Sequence, residues 1–506
     1  MLIKIVTLLQ MVVMSRQNVI SIAQGQIRGV VYDGYVAYSG IPYASITSPK
    51  GQFKSAGIAP VWSNIRESKS STCSKLSDPG DCLQLDVYVP IEVGINWPVL
   101  VWVTGGSGPF NPGILVREGI IVVVVHHRLG PQGFLCLGVE SIPGNAGVKD
   151  VVLALRWVRD NIVAFQGNPG KVVAGGEGFG AAIVDAVMLS SMAPGLFHGV
   201  ILQSGTVLCP WAFNYDAEER ARALSDNPEV ETTNELVKFL VDAEIEELVK
   251  RSTKLAVPYY PFAICVDKPL KQEERLLFQA PYDFLLSKKM PALPIIIGYN
   301  NNEAYVFASI LRDVKVLQRI SRVPAFLLPL ELKFFSDREK RQVARQVGDI
   351  YFKNNVTMAS VLAYHRDAYF SSHIHRSVHH YSSSAPVFYY QFSYLGNIGV
   401  QPEPGVIKTG AAHSDELGYL FSDLELDGED KIIRRRLVKL WTNFVKHLNP
   451  TPPQSEVTWE TSKPERPRLL DINTELKMID YPHAKTTRMW DDIYDKYYYT
   501  RRHLTH

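Results

Sequence analysis

The chain has 506 residues, of which 46% are hydrophobic and 21% charged, and its net charge is +2. This composition is typical of a globular protein with a large buried core, and the near-neutral charge gives no electrostatic reason to expect nucleic acid or an acidic partner. The length would allow about three average domains. No linker divides the chain convincingly, so a single domain over residues 16–506 is predicted.

A short apolar segment stands at the beginning of the sequence. Lys4 precedes an apolar run over residues 5–14, and Ser15 follows it. This pattern is typical of a secretory signal peptide, so residues 1–15 are predicted to be one and the protein to be secreted; a buried first strand is the alternative. A bilayer crossing needs about 18 or more apolar residues. No segment reaches that length, so no membrane span is expected.

The chain has five cysteines, so at least one thiol stays unpaired within the chain. Cys73 and Cys82 lie in a polar loop before a predicted strand and are the expected disulfide of a secreted protein. Cys136 and Cys209 lie in apolar segments and are expected to be buried free thiols. Asn355 begins an Asn-Val-Thr sequon and is the predicted glycosylation site.

Apolar segments alternate with helical segments between residues 20 and 210. The predicted strands are 83–90, 98–106, 120–130, 171–177 and 199–205. The run Ile120–Val125 is β-branched throughout, which is typical of a strand buried on both faces. Residues 147–167 carry apolar side chains at three- and four-residue spacing, which predicts an amphipathic helix. Such alternation predicts a mostly parallel sheet flanked by helices.

The second half of the chain is more helical. Residues 294–300 and 386–394 are predicted to be two further buried strands. Residues 429–448 are predicted to form a basic helix in which an apolar stripe alternates with a solvated charged face.

The segment "KVVAGGEGFGAA" over residues 171–182 allows three interpretations. Gly176-x-Gly178-x-x-Ala181 could be a dinucleotide-binding loop, a G-x-S-x-G nucleophile elbow without its serine, or a plain tight turn with glycines for close packing. A dinucleotide loop normally lies in the first βαβ unit, with an acidic residue about twenty positions further on. Here residues 190–199 contain no acid, so we expect no cofactor.

The blocks around this segment favour the elbow. Four blocks of the sequence resemble the type-B carboxylesterase family, which includes the cholinesterases, and the blocks have the same order along the chain as in that family. They are residues 133–213, "GDCLQLDVYVP", "HRLGPQGFL" and "AAHSDELGYLF". The resemblance extends from about Gln24 to Tyr497 and is nearest to insect carboxylesterases. It implies the α/β-hydrolase fold, which agrees with the sheet predicted above.

The resemblance implies a set of site residues. In that family the elbow is G-E-S-A-G, so Gly178 stands where the nucleophilic serine is expected. The acid corresponds to Glu303 in "GYNNNEAYVF" and the histidine to His413 in "AAHSDEL". The order nucleophile, acid, histidine is that of the α/β-hydrolases. Because an elbow residue has a positive φ, glycine fits position 178 without a steric penalty.

The resemblance also implies an altered oxyanion hole. Where the family has H-G-G-G, this chain has Thr104-Gly105-Gly106-Ser107. The expected oxyanion donors are the backbone N–H groups of Gly106, Ser107 and Phe179, and Phe179 replaces a small residue of the family.

Two other groups of histidines are expected to have structural roles. "HIHRSVHH" over residues 373–380 could hold a metal, but the H-E-x-x-H motif requires a glutamate where Arg376 stands. The segment corresponds to a surface helix of the family, and no metal is expected. His126 and His127 follow a buried strand and are expected to act as hydrogen-bond donors beside the site.

Glycine has no atom that could attack a carbonyl, and removing the serine of a triad lowers turnover by roughly 10⁶. The sequence therefore predicts an inactive carboxylesterase-like protein that binds an apolar ester or other small hydrophobic ligand in the former gorge. One alternative is an active ester hydrolase with an unorthodox nucleophile, Ser107 or Ser204. Another is a surface-interaction role like that of the family's inactive adhesion members.

Overall fold

The computed structural model of the protein describes residues 18–46, 51–69, 82–92, 94–106, 110–225, 230–255, 260–287, 290, 292–311, 319, 327–353 and 355–498. The predicted signal segment 1–15, Cys73 and Ser107 lie outside these ranges.

The described strands form two sheets. They are β1 (Val19–Ile22), β2 (Gly25–Arg28), β3 (Val30–Tyr32), β4 (Tyr35–Pro42), β5 (Arg66–Glu67), β6 (Gln84–Pro90), β7 (Trp97–Val103), β8 (Ile121–Val125), β9 (Gly167–Glu177), β10 (Gly199–Gln203), β11 (Ile295–Asn300), β12 (Val387–Phe392), β13 (Arg468–Ile472) and β14 (Leu476–Asp480). A small sheet has the order β1-β2-β5, and an eleven-stranded sheet has the order β14-β13-β12-β11-β10-β9-β7-β8-β6-β4-β3.

The middle of the large sheet is parallel and mostly buried. The strands from β8 through β7, β9, β10, β11 and β12 to β13 pair in parallel, whereas the pairs at both edges are antiparallel. Every residue of β8, β10, β11 and β12 is buried. Burial on both faces explains why these segments are continuous apolar runs, and the predicted mostly parallel sheet is confirmed.

Helices cover the faces of this sheet. The described α-helices are α1 (Gly113–Arg117), α2 (Gly130–Phe134), α3 (Ala146–Asn161), α4 (Phe179–Leu189), α5 (Ala217–Ser225), α6 (Thr233–Asp242), α7 (Ile245–Ser252), α8 (Pro281–Leu286), α9 (Ala308–Leu311), α10 (Asp337–Tyr351), α11 (Met358–Arg366), α12 (Ser372–Tyr381), α13 (Leu417–Leu420), α14 (Gly428–His447) and α15 (Ala484–Tyr497). Short 3₁₀ segments follow α3 and β11, at Ile162–Phe165 and Glu303–Phe307, and a π turn, Asp367–Ser371, joins α11 to α12.

Two helices match their predictions closely. Helix α3 buries the predicted stripe of Val151, Leu155 and Val158, and it ends before the 3₁₀ turn rather than continuing to residue 167. Helix α14 buries its apolar stripe, including Trp441, and exposes basic residues on the opposite side. Among the helices that the structure describes, none has the length and hydropathy that crossing a bilayer would need.

The pairing of Cys136 corrects the sequence prediction. Cys136 forms a disulfide with Cys265, 129 residues away, with a Cα–Cα distance of 6.7 Å. It is therefore not the buried free thiol that its apolar surroundings predicted. The Asn145 side chain holds the Cys265 backbone through bonds of 2.8 and 2.9 Å, and this long-range pairing leaves no local signal in the sequence.

The other described cysteines are one free thiol and one disulfide-bonded residue. Cys209 is free and buried, as predicted. Cys82 is disulfide-bonded, and Cys73, its predicted partner, lies outside the described residues. Asn355 is exposed, shortly before helix α11, and its glycosylation stays a prediction.

The histidine-rich helix α12 is not the surface helix that was expected. His373 is buried with its ring against Tyr494, and His375 stacks on Tyr481 with ring centroids 3.8 Å apart. Burial lowers the pKa of both imidazoles to about 3, so they stay neutral. Within the described ranges no group of three or more His, Cys, Asp or Glu side chains could hold a metal ion.

Candidate active site

The turn between β9 and α4 has the geometry of a nucleophile elbow. Strand β9 ends at Glu177, Gly178 has φ +57° and ψ −121°, and α4 begins at Phe179. The Gly178 N–H donates to the Gln203 carbonyl at 2.8 Å. The positive φ predicted for position 178 is therefore found, at a sharp strand-to-helix turn.

The neighbouring glycines allow the elbow to pack closely. A Cβ on Gly176 would lie 2.5 Å from the carbonyl carbon of Gly180, and one on Gly180 would lie 2.3 Å from the Val103 carbonyl oxygen. The close-packing interpretation is thus correct for these two positions, while Gly178 is the one that faces the candidate site.

The fold brings the three predicted positions together. His413, in the loop between β12 and α13, places its Nδ1 2.6 Å from Glu303 Oε2. A Cβ built on Gly178 would lie 2.9 Å from His413 Nε2. The Glu303 side chain is completely buried, whereas the His413 side chain is 17% exposed, so the ring is reached from only one side.

The other nitrogen of this imidazole contacts a second carboxylate. His413 Nε2 lies 3.1 Å from Glu177 Oε1, and the Ser414 hydroxyl donates to the same oxygen at 2.7 Å. His413 therefore lies between two carboxylates, one at each ring nitrogen. Sequence reasoning did not select Glu177, although it directly precedes the elbow residue in both this chain and the family pattern.

These contacts determine the protonation state of the His413 imidazole. Burial alone would lower the pKa of His413, but the carboxylates of Glu177 and Glu303 outweigh burial and raise this pKa to about 10. Burial raises the pKa of Glu177, against the attraction of the imidazolium. At neutral pH the imidazole therefore carries its proton, and neither ring nitrogen has a free lone pair.

Hydrogen bonds join the ends of β10 and β11 to the loop that carries His413 and to Glu416 beside it. The Asn300 N–H donates to Glu303 Oε1 at 2.7 Å, and the Asn300 side-chain amide donates to the Ala412 carbonyl at 2.6 Å. Gln203 donates to buried Glu416 at 2.9 Å. Burial and the charges of Glu177 and Glu303 raise the pKa of Glu416 to about 8, so it is largely protonated at neutral pH.

The glycine loop after β7 lies beside the elbow. A Cβ on Gly105 would lie 2.9 Å from the Glu177 carbonyl oxygen, whereas a Cβ on Gly106 would meet no heavy atom within 4 Å. The Phe179 N–H is the first of helix α4, where backbone donors have no partner within the helix. Gly106 and Phe179 thus lie beside one cavity; Ser107, the third expected donor, lies outside the described residues.

The residues before these donors are held by backbone contacts. The Thr104 hydroxyl donates to the Val125 carbonyl at 3.3 Å, and His127 Nε2 lies 2.9 Å from the Thr104 carbonyl oxygen. His126 Nε2 lies 3.3 Å from Asp86 Oδ2. Both histidines therefore support the neighbouring strands.

The Phe179 ring packs into the wall of the cavity. It contacts Phe134 and Tyr260, each with ring centroids 4.9 Å apart, and only 3% of the residue is exposed. The cavity has a volume of about 930 Å³. Its described lining is mostly apolar and includes Gly105, Gly106, Phe110, Asn111, Glu177, Phe179, Tyr260, Ile398, His413, Ser414, Leu417, Gly418, Phe421, Ser422, Asp423 and Leu424.

Ser204, considered as a replacement nucleophile, does not reach this lining. It follows β10, is completely buried, and has φ +55°. Its backbone N–H donates to the Gly298 carbonyl at 2.9 Å, and its hydroxyl has no hydrogen-bond partner among the described residues.

Comparison with known proteins identifies the family of the chain. The sequence model of the Carboxylesterase family matches residues 16–490. The chain belongs to the carboxylesterase family. It is 28% identical to carboxylesterase 5A of Homo sapiens, over 87% of this chain and 82% of that protein. It is also 28% identical to venom carboxylesterase-6 of Apis mellifera, over 91% and 90% of the two chains.

A solved structure shows the same fold. Juvenile hormone esterase from Manduca sexta matches this carboxylesterase-family chain with a TM-score of 0.85 at 24% identity, over 94% of this chain and 99% of that one. The α/β-hydrolase fold is thereby confirmed.

The conformation of Gly178 generates a stability prediction. Alanine at this φ would be strained by about 1–3 kcal/mol, and its Cβ would press on the His413 ring. We expect Gly178→Ala to lower the free energy of unfolding by roughly this amount, measured as the shift of the urea midpoint.

The matched control is Gly348→Ala in helix α10, where a Cβ would meet nothing within 4 Å. Alanine there should raise the free energy of unfolding by up to about 1 kcal/mol, because it is the better helix former. A Gly178→Ala protein as stable as the wild type would show that position 178 carries no such strain.

Proposed function

We propose that this chain is a carboxylesterase-family protein without esterase activity, which binds an apolar ester or another small hydrophobic ligand in the cavity beside the elbow. The observation that carries this proposal is the contact of His413 Nε2 with Glu177 at 3.1 Å, beside a glycine that offers no hydroxyl. The resemblance to the family motif assigns the lost serine to position 178.

The chemistry of a serine hydrolase needs a neutral imidazole. The ring takes the proton of the serine hydroxyl while the oxygen attacks the carbonyl, and the carboxylate orients the ring. Here the two carboxylates raise the pKa of His413 to about 10, so the ring is protonated at pH 7. Activation of water by His413 is suppressed for the same reason.

The features that bind an ester are kept although the nucleophile is not. A volume of about 930 Å³ is in the usual range for small-molecule sites, which are mostly apolar with a few directed polar groups. Phe110, Phe179 and Phe421 supply the apolar wall. The backbone N–H groups of Gly106 and Phe179 are the proposed donors to an ester carbonyl.

Serine chemistry by another residue is the less favoured proposal. Ser204 is completely buried and absent from the cavity lining, so a substrate carbonyl could not reach its hydroxyl. Its backbone, with a positive φ, directly follows Gln203, whose carbonyl accepts the hydrogen bond from the Gly178 N–H.

Secretion is the location that we propose for this protein. Cys136 and Cys265 form a disulfide, and Cys82 is in another; disulfides persist mainly in oxidising compartments. The signal segment 1–15, a Cys73–Cys82 bridge and glycosylation at Asn355 belong to the same proposal.

The direct test compares the wild type, Gly178→Ser and Gly178→Ala with a short-chain aryl ester and an organophosphate. The wild type and the alanine variant should give no burst and no stoichiometric phosphylation, because both lack a nucleophilic oxygen. The serine variant should be phosphylated, and faster as the pH rises, because only a neutral His413 can accept the proton of the hydroxyl.

Stoichiometric phosphylation or a burst with the wild type would overturn the proposal of inactivity. An inert serine variant would show that the histidine and Glu303 no longer form a working pair. Phosphylation of the alanine variant would locate a nucleophile elsewhere in the chain.

Ligand binding is tested by filling the cavity. Because a Cβ on Gly106 meets no atom of the described residues within 4 Å and Gly106 lines the cavity, the side chain of Gly106→Phe should occupy ligand space. We expect it to weaken binding of an uncharged aryl ester at least tenfold, measured by isothermal titration calorimetry.

The control for this variant is Gly348→Phe on helix α10, where an added Cβ also meets no described atom within 4 Å. It should leave the affinity unchanged. Equal affinity of the Gly106→Phe protein and the wild type would exclude this cavity as the binding site.

A further inference from the structure

Helix α14 presents a row of cations on its exposed side. Lys431, Arg435 and Lys439 are all exposed. They follow one another at four-residue spacing, so they lie on one face of the helix and rise about 6 Å from one to the next. None of the three side chains makes a hydrogen bond or an ion pair with another residue of the described ranges.

Three ion pairs elsewhere use this spacing for opposite charges. They are Asp216–Arg220 at 2.7 Å, Glu218–Arg222 at 2.8 Å and Glu247–Arg251 at 2.8 Å. Like charges at this spacing destabilise a helix by about 0.2–0.5 kcal/mol per pair. Helix α14 carries two such pairs in succession, and no described side chain offsets them with an ion pair.

The row borders a groove rather than a flat surface. The opposite wall is the proline-rich segment 450–457, and the space between them measures about 1030 Å³. Arg434 and Arg436 also line this groove, and their guanidinium groups are anchored on backbone carbonyls, that of Arg434 on Gly418 at 3.2 Å and that of Arg436 on Thr474. Two of the five cations are thus held in place before any ligand arrives.

The charge of the groove is strongly unbalanced. Its described lining contains five Lys and Arg side chains but only two acids, Glu118 and Glu456. The same described lining includes no Phe, Tyr or Trp. The site therefore attracts anions and offers no aromatic ring on which a nucleobase could stack.

We propose that this groove binds a linear sulfated polysaccharide. A linear polyanion can place successive sulfates along Lys431, Arg435 and Lys439, where charge-assisted hydrogen bonds to ammonium and guanidinium groups are strong. A linear chain can lie along a groove, whereas a flat anionic membrane would meet only its rim. The proposal is independent of the ligand in the cavity beside Gly178.

The experiment measures binding of a heparin octasaccharide at several salt concentrations. The test variant is Lys431→Gln/Arg435→Gln/Lys439→Gln, and the control is Lys238→Gln/Lys250→Gln/Lys254→Gln, which removes three exposed lysines from α6, α7 and the turn that follows α7. The wild type and the control should bind alike. The test variant should bind at least tenfold more weakly, and its slope of log affinity against log salt should fall by roughly 2–3, about one for each cation removed.

Further variants and ligands distinguish binding of the sulfated sugar from other causes of a binding signal. Lys431→Arg/Lys439→Arg should retain binding, and circular dichroism should show the same helix content in all variants. A desulfated octasaccharide should not bind, and phosphatidylserine vesicles should bind no better to the wild type than to the test variant. Absence of heparin binding by the wild type, an equal loss in the control, or a vesicle signal that depends on the same three residues would overturn the proposal.

Discussion

The pairing of one imidazole with two carboxylates is the interaction on which the site depends. Glu177 ends β9, and Glu303 and His413 follow β11 and β12, so all three converge at the carboxyl ends of parallel strands, where open α/β sheets form their ligand sites. In this poorly solvated wall an unpaired charge would be costly, whereas an ion bonded on both sides is stable. The imidazolium therefore stabilises the site by pairing with both carboxylates.

Glycine at position 178 has two linked effects. It fits a turn with φ +57° without the strain of a side chain, and it offers no hydroxyl to His413 Nε2, whose contact is Glu177. The glycine therefore favours a stable backbone at this turn, and the contact of Glu177 with His413 adds an ion pair. This agrees with the general trade between activity and stability at strained sites.

Much of the fold could be predicted from the sequence because its signals are local. Continuous β-branched runs such as Ile121–Val125 are typical of strands buried on both faces of a parallel sheet, and the stripe of α3 follows the helical period. The triad positions came from ordered family motifs. Features that depend on distant contacts were not predicted correctly: the Cys136–Cys265 bond joins segments 129 residues apart. The stacking of His375 on Tyr481 likewise joins residues far apart along the chain.

The role of Glu177 could not be predicted because it depends on where an imidazole turns when no hydroxyl binds it. The most direct measurement is therefore the titration of His413 itself, followed by NMR in protein labelled at the histidine Cε1 carbon and assigned with His413→Gln. We predict that the ring stays protonated through neutral pH and loses its proton near pH 10, and that Glu177→Gln lowers this midpoint. An imidazole that titrates near its ordinary value of about 6.5, unchanged by Glu177→Gln, would contradict the account.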